Sequence, residues 1–205
     1  MRETLDGPDG DTPHPSSWVA ASRFPATAVS RDDGGWRVTA ADDGPVFFGR
    51  RQEHLYARVR ARLTVQGTGG LTLHIDPRHA LDLEVSDGTV RAVWTVGDIR
   101  HPLGEHPVPE EAALELRILP SEGHEFSTAR GPDRIVAGIV GDAGFAELGV
   151  DGRYLSTEVA GGMTGRVVGV VSTRGHVLLR SFEYLGADDP AALGAGPAGF
   201  QRWTA

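Results

Sequence analysis

The stretch that most constrains this chain is Leu55 to Val65, where apolar and polar residues alternate without a break. Leu55, Ala57, Val59, Ala61, Leu63 and Val65 take one side, and His54, Tyr56, Arg58, Arg60 and Arg62 take the other. Successive side chains point to opposite faces only in extended backbone, so a period of two predicts a β-strand with one dry face. Joined to the residues before it, the stretch reads as one long strand from Val46 to Val65. On that reading Arg50, Gln52, His54, Tyr56 and Arg58 share the wet face, and Gly49 is the place where a bulge would invert the parity.

The rest of the chain repeats this pattern in shorter pieces. Trp18 to Ala21 and Trp36 to Ala40 are expected to form a first hairpin across Arg31-Asp32-Asp33-Gly34-Gly35, whose glycines tolerate positive φ. Gln66 to Gly70 reads as a tight turn, followed by a strand with Leu71, Leu73 and Ile75 inward. After the turn at Asp76 to His79 comes a strand with Leu81, Leu83 and Val85 inward. Ser86-Asp87-Gly88-Thr89 is a strong hairpin signal leading into Val90 to Val96. Gly97 to Glu111 holds Pro102, Pro107 and Pro109 and is expected to be a loop, as is the Gly-rich Asp151 to Gly165. Further strands are expected at Leu114 to Ile118, Arg134 to Val140, Phe145 to Val150, Arg166 to Ser172 and Val177 to Leu185. No segment carries three turns of helical periodicity. Many short strands separated by turn signals predict an all-β fold, an antiparallel sandwich or jelly roll. It would occupy residues 1–186, with residues 187–205 as an Ala/Gly/Pro-rich tail that Phe200 and Trp203 could dock.

Charge and composition exclude several classes of function. A net charge of −8 disfavours nucleic acid and anionic membranes as partners, since both need a cationic field. The absence of cysteine removes disulfides and thiolate chemistry. No run approaches the roughly 18 apolar residues of a membrane span, and the start has no apolar signal core, so a cytoplasmic location is expected. All the basic residues are arginine, with neither Lys nor Asn present. A GC-rich coding sequence accounts for both losses better than a phosphate-reading role does.

Sugars are held by a flat aromatic under the ring and by planar hydrogen-bonding groups that reach the hydroxyls. The expected wet face supplies Tyr56 as platform and Arg50, Gln52, His54 and Arg58 as polar forks, with His74 and Asp82 reaching in from neighbouring strands. The bland alternative is a solvated sheet face whose arginines pair with Asp82, Glu84 and Glu115. His74, Asp76, His79 and Asp82 have metal-like donors at short spacing, though an Asp-Pro turn is their ordinary reading. No cofactor is expected. A structural calcium ion would be sought at the Asp-rich segment 6–11, which matches no defined calcium loop. Glu53 and Glu84 are the carboxylates to consider as an acid/base pair if the cleft were catalytic.

Several stretches resemble one family in the same order. Gly49-Arg50-Arg51-Gln52-Glu53-His54 resembles the Arg-Arg-Gln strand of the C-terminal β-sandwich attached to family 43 glycoside hydrolases, the β-xylosidase and α-arabinofuranosidase group. Leu5-Asp6-Gly7-Pro8 with Trp18 resembles its opening, and Gly152-Arg153-Tyr154-Leu155-Ser156-Thr157 its Leu-Ser-Thr segment. Gly161 to Gly169, with Met163 at an aromatic position, resembles its Gly-Gly-Phe-Thr-Gly run, and Phe182-Glu183-Tyr184 its closing strand. The resemblance implies a concanavalin A-like fold of two curved antiparallel sheets with an open concave face. It also implies that catalysis belongs to a separate propeller, so this chain would be a non-catalytic saccharide-binding or glycosidase-accessory module for xylose- or arabinose-containing ligands. In some of these enzymes a loop aromatic from the connection after the Arg-Arg-Gln strand enters the propeller's pocket. The matching Gln66 to Gly70 has no aromatic, so no lid role is implied. The alternatives are a docking partner of a glycosidase catalytic domain, or of itself, and a hydrolase using the sandwich cleft.

Overall fold

The computed structural model describes residues 2–5, 18–20, 28–32, 34–108, 110–121, 131–141, 144–162, 164–193 and 200–202. In chain order they form β1 (Arg2–Leu5), β2 (Trp18–Val19), β3 (Val29–Asp32), β4 (Gly35–Thr39), β5 (Val46–Arg51), β6 (Tyr56–Asp76) and β7 (His79–Ser86). After these come β8 (Thr89–Val96), β9 (Ile99–Pro107), β10 (Glu111–Pro120), β11 (Asp133–Gly141), β12 (Gly144–Asp151), β13 (Val167–Ala187) and β14 (Phe200–Arg202). Gly152–Leu155 is a 3-10 turn, Thr157–Ala160 a single helical turn α1, and Pro190–Leu193 a second 3-10 turn.

β6 and β13, 21 residues each, pair antiparallel over nearly their whole length. This ribbon belongs to both layers of the fold. Its Tyr56–Val65 and Val177–Ala187 half joins β10, β11, β12 and β14 on one side and β4, β3 and β1 on the other. Its Thr68–Asp76 and Val167–Arg174 half joins β7, β8 and β9 on one side and β5 and β2 on the other. Ala57, Val59, Ala61 and Leu63 of the first half and Leu71 and Leu73 of the second are all sealed from solvent and share one cluster with Leu81, Leu83, Leu114 and Leu116. The ribbon therefore keeps one face inward through its bend, and the two layers close on a single core. Trp18, packed on Phe48 at 4.4 Å and on Phe182 at 4.8 Å, closes one end.

The bend has a visible cause. Gly67 and Gly175 are directly paired in the ribbon, with φ of 103° and 72°, and the register slips between Ser172 and Arg174. A Cβ on Gly67 would lie 2.2 Å from the Arg174 carbonyl oxygen, and one on Gly175 would lie 2.0 Å from that of Gln66. Only glycine fits a positive φ at such close approach.

Several expectations from sequence are corrected here. Gln66 to Gly70 is a bend inside β6, not a turn, and the strands expected at Arg166 to Ser172 and Val177 to Leu185 are one. The supposed Val46 to Val65 strand is two, broken at 52–55, because β5 and β6 pair with opposite edges of β13. Leu55, expected on the dry face, is 63% exposed. Gly49 is no bulge, since β5 runs in unbroken register with β13 across it. The first hairpin pairs β3 with β4, while Trp18–Val19 pairs with β5. Ile99–Pro107 is a strand at the edge of the second layer, where its prolines forfeit no ladder partner. The Ser86–Thr89 turn is as expected, with Asp87 and Gly88 both at positive φ. Among the described residues beyond 187, Leu193 is buried and β14 runs parallel to β12. The Asp-rich segment 6–11, Met163 and Trp203 lie outside the described residues.

Gly67→Ala and Gly175→Ala should each cost about 1–3 kcal/mol through backbone strain. At this chain length that is a fall of at least about 2–4 °C in Tm, whereas Gly88→Asn, at an open turn, should change Tm little. Thermal melts of the variants check this.

Candidate functional site

The structure distributes the sequence-predicted site residues over separate places. Arg50 is sealed from solvent. Its guanidinium lies 4.1 Å over the Tyr184 ring and donates from Nη2 to Glu53 at 2.9 Å, a cation held by a ring face and a carboxylate. Tyr184 Oη accepts the Glu53 N–H at 3.2 Å and meets His54 Nδ1 at 3.3 Å. Burial pushes its phenol above the ordinary range, against the Glu53 N–H and the Arg50 charge. Arg51, and not Arg50, faces out and donates to the Thr164 carbonyl at 2.5 Å. Tyr56 and Arg58 stand on the outer face of the first layer, with Arg58 opposite Arg117. On that face Glu115 is sealed from solvent and accepts from Arg60 and Arg117, a buried carboxylate held between two arginines.

Gln52 and His54 instead line a cleft of about 420 Å³ at one end of the sandwich, with Glu53, Leu55, Ser156, Glu158 and Asp188. The connection at 52–55 is tied down by backbone and side chain. Gln52 N–H donates to the Arg166 carbonyl at 3.0 Å, Leu55 N–H to Asp188 at 3.0 Å, and Gln52 Nε2 to the His54 carbonyl at 2.8 Å. Arg166 spans the wall, donating to both oxygens of Asp133 and to the Gly152 and Leu155 carbonyls.

His74 and Asp82 meet in a second cavity, a groove of about 310 Å³ on the outer face of the second layer. Its width follows from the ladder. Outward positions run Glu84, Gly70, Val171, Phe47 in one row and Asp82, Thr72, Gly169, Gly49 in the next. Three of these are glycines, and the Phe47 ring lies over Gly49, where a Cβ would meet it at 2.5 Å. Phe47 folds toward His74, ring edge to face at 4.7 Å, and forms an apolar wall with Pro45 and Pro77. It is almost wholly enclosed, so it is a wall and not an open platform. Thr72 Oγ1 lies 3.4 Å from His74 Nδ1 and also hydrogen-bonds Asp82. Burial lowers the His74 pKa to about 4, with Asp76 opposing, and raises that of Asp82 against its bond to Thr72. Asp76 is engaged by the Arg78 N–H and by His79, and Glu84 by Arg100 at 2.7 Å. Glu53 and Glu84 line different cavities, each tied to an arginine, and do not face one another as an acid/base pair would. Among the described residues no group of three His, Asp or Glu side chains converges as metal ligands would.

Residues 34–177 match the model of the β-xylosidase C-terminal concanavalin A-like domain. The chain belongs to this family. Among solved structures this domain is similar to GH43B of the Bacteroides ovatus xyloglucan PUL, with a TM-score of 0.71 at 20% identity over 91% of the chain. It is also similar to a bifunctional GH43-CE protein of Bacteroides eggerthii, at 0.67 and 12% over 91%. It spans only 39% and 27% of those two chains. The exoplasmic/lumenal domain of VIP36 in its Ca2+/Man3GlcNAc-bound form aligns at 0.51 and 10%, covering 94% of this chain and 93% of that one. At such identities the likeness establishes the concanavalin A-like fold.

Sequence reasoning missed Phe47, Thr72 and Tyr184. Thr72 is directly opposite Asp82, but a bulge between His74 and Asp76 shifts the register. Counting back from the Asp76–His79 turn therefore mispairs the strands by one residue.

His74 gives a prediction with a definite sign. Its folded pKa lies below the ordinary 6.5, so between pH 6.5 and about 4 the unfolded chain takes up a proton that the folded chain refuses. Stability should fall across that window, by up to about 3 kcal/mol at roughly 1.4 kcal/mol per pH unit. Asp82, shifted the other way, offsets part of the loss toward the acid end. Denaturant unfolding at pH 7, 5.5 and 4 should show the fall, and His74→Gln should remove most of it.

Proposed function

We propose that this domain is a non-catalytic carbohydrate-recognition or glycosidase-accessory module that holds xylose- or arabinose-containing saccharides in the groove of the second layer. The observation that carries the reading is the meeting, in one cavity, of an apolar wall from Phe47, Pro45 and Pro77 with the hydrogen-bonding set His74, Thr72 and Asp82. That combination of apolar lining and a few placed polar groups suits small-ligand recognition. Family membership supports the ligand class, as does the VIP36 domain of similar fold in its Ca2+/Man3GlcNAc-bound form. A non-catalytic role fits Glu53 and Glu84 standing in separate cavities.

Titration calorimetry with xylo- and arabino-oligosaccharides should give saturable binding. His74→Ala or Asp82→Ala should weaken it about tenfold, the equivalent of one lost hydrogen bond, while Tyr56→Ala leaves it unchanged. Silence at millimolar ligand, or weakening by Tyr56→Ala alone, would count against the groove.

A second reading is favoured by the sandwich-end cleft, which is lined by the exposed Leu55 and by Thr157 and Glu158 of α1, a helical turn that also carries the exposed Val159. Apolar side chains around a cleft suit docking on a glycosidase catalytic domain. Light scattering with a separately expressed family 43 propeller should then show a complex that Leu55→Asp weakens. Two non-interacting species would remove this reading.

A further inference from the structure

Tyr56 and Arg58 belong to neither cavity. β6 turns Tyr56, Arg58, Arg60 and Arg62 to the outer face of the first layer, with Ala57, Val59 and Ala61 sealed beneath them. β10 brings Glu111, Glu115 and Arg117 to the same face, and β13 places Glu183 opposite Arg60. Glu115 accepts from Arg60 at 2.8 Å and also from Arg117, and Arg62 lies 3.6 Å from Glu111. Four arginines on these three strands thus face three glutamates. Among the described residues, Arg58 is the arginine of this set with neither a hydrogen bond nor an ion pair.

The ladder sharpens the imbalance. Arg58 stands directly opposite Arg117, and like charges across a strand pair disfavour one another. Arg117 is almost sealed and is held by Glu115, so its charge stays beside Arg58. Arg58 is itself half-buried, where solvent screens less. An anion at Arg58 would complete the charge pairing of this face.

Tyr56 narrows the kind of anion. It lies two residues along the same face, about 7 Å away along the strand. Its ring and hydroxyl make no ring contact or hydrogen bond with the described residues. A guanidinium fork matches a planar carboxylate, and a phenol face matches the apolar side of a pyranose ring. A uronic acid carries both, with its carboxylate on the ring carbon next to the ring oxygen.

We propose that Tyr56 and Arg58 form a saccharide site of their own for a uronic acid, which sets its carboxylate on the Arg58 fork and its ring against Tyr56. This site lies on the first layer and the groove on the second, so neither depends on the other.

Calorimetry at pH 7 tests this by comparing xylo-oligosaccharides that carry one glucuronic acid with unsubstituted ones of equal length. The acidic series should bind the parent about tenfold more tightly, the scale of one charge-assisted hydrogen bond. Arg58→Gln should erase that preference, and Arg58→Lys, which keeps the charge and loses the fork, should retain only part of it. His74→Ala should leave the preference unchanged. Free glucuronate should compete with the acidic series, and acetate at the same concentration should not. Equal affinity for the two series, or a preference that survives Arg58→Gln, would overturn the inference and leave the groove reading standing. Loss of the preference in His74→Ala would place the acid in the groove and overturn it too. Competition by acetate as strong as by glucuronate would reduce the site to a bare carboxylate fork and overturn the saccharide assignment. Binding of the acidic series through Arg58 with the neutral series silent would uphold the inference and remove the groove reading.

Discussion

The structure depends on one ribbon being able to fold over itself. β6 and β13 could pair as a flat two-stranded ladder for 21 residues, but such a ladder would leave half its dry face without a partner. Folding it at Gly67 and Gly175 brings Leu63 and Val59 onto the same core as Leu71 and Leu73. Burial of apolar surface drives the fold-over, and the glycine pair permits it. Every other strand joins an edge of this ribbon directly or through a neighbour, which is why the two layers share one hydrogen-bonded path.

The ribbon also decides where chemistry can sit. Since β5 and β6 flank opposite edges of β13, the chain must cross from one to the other through 52–55. That crossing carries Gln52 and His54 away from any sheet face. The arginine before it, Arg50, turns inward beneath Tyr184, and together with Glu53 it anchors the crossing to the core. The polar residues of the groove, Thr72, His74 and Asp82, come from the hairpin of β6 and β7. Gly49, with no side chain, leaves room for the Phe47 ring that walls the groove beside His74.

Much of the fold was legible because alternation reports strand faces faithfully. The inward sets Ala57 to Leu63 and Leu71 to Ile75 were read correctly, as was the Asp87-Gly88 turn, whose residues have a local steric requirement. Glycine was the ambiguous letter. Gln66 to Gly70 carries the same composition as a tight turn, and only the pairing of Gly67 with Gly175, more than a hundred residues away, makes it a bend. The site was less legible for a related reason. Parity along one strand can be read locally, but membership of one surface depends on which edges strands join. Arg50 to Arg58 looked continuous in sequence and are divided by topology, whereas the pairing of Thr72 with Asp82 depends on a bulge between His74 and Asp76 that alternation does not reveal.

The central claim is that the groove between Phe47, His74 and Asp82 holds a saccharide. The most direct measurement is a crystal structure of the protein soaked with xylo- and arabino-oligosaccharides. The account predicts a sugar ring against the wall of Phe47, Pro45 and Pro77, with hydroxyls within hydrogen-bond reach of His74 and Asp82. A sugar seated in the cleft at Gln52 and His54 with the groove empty would contradict it.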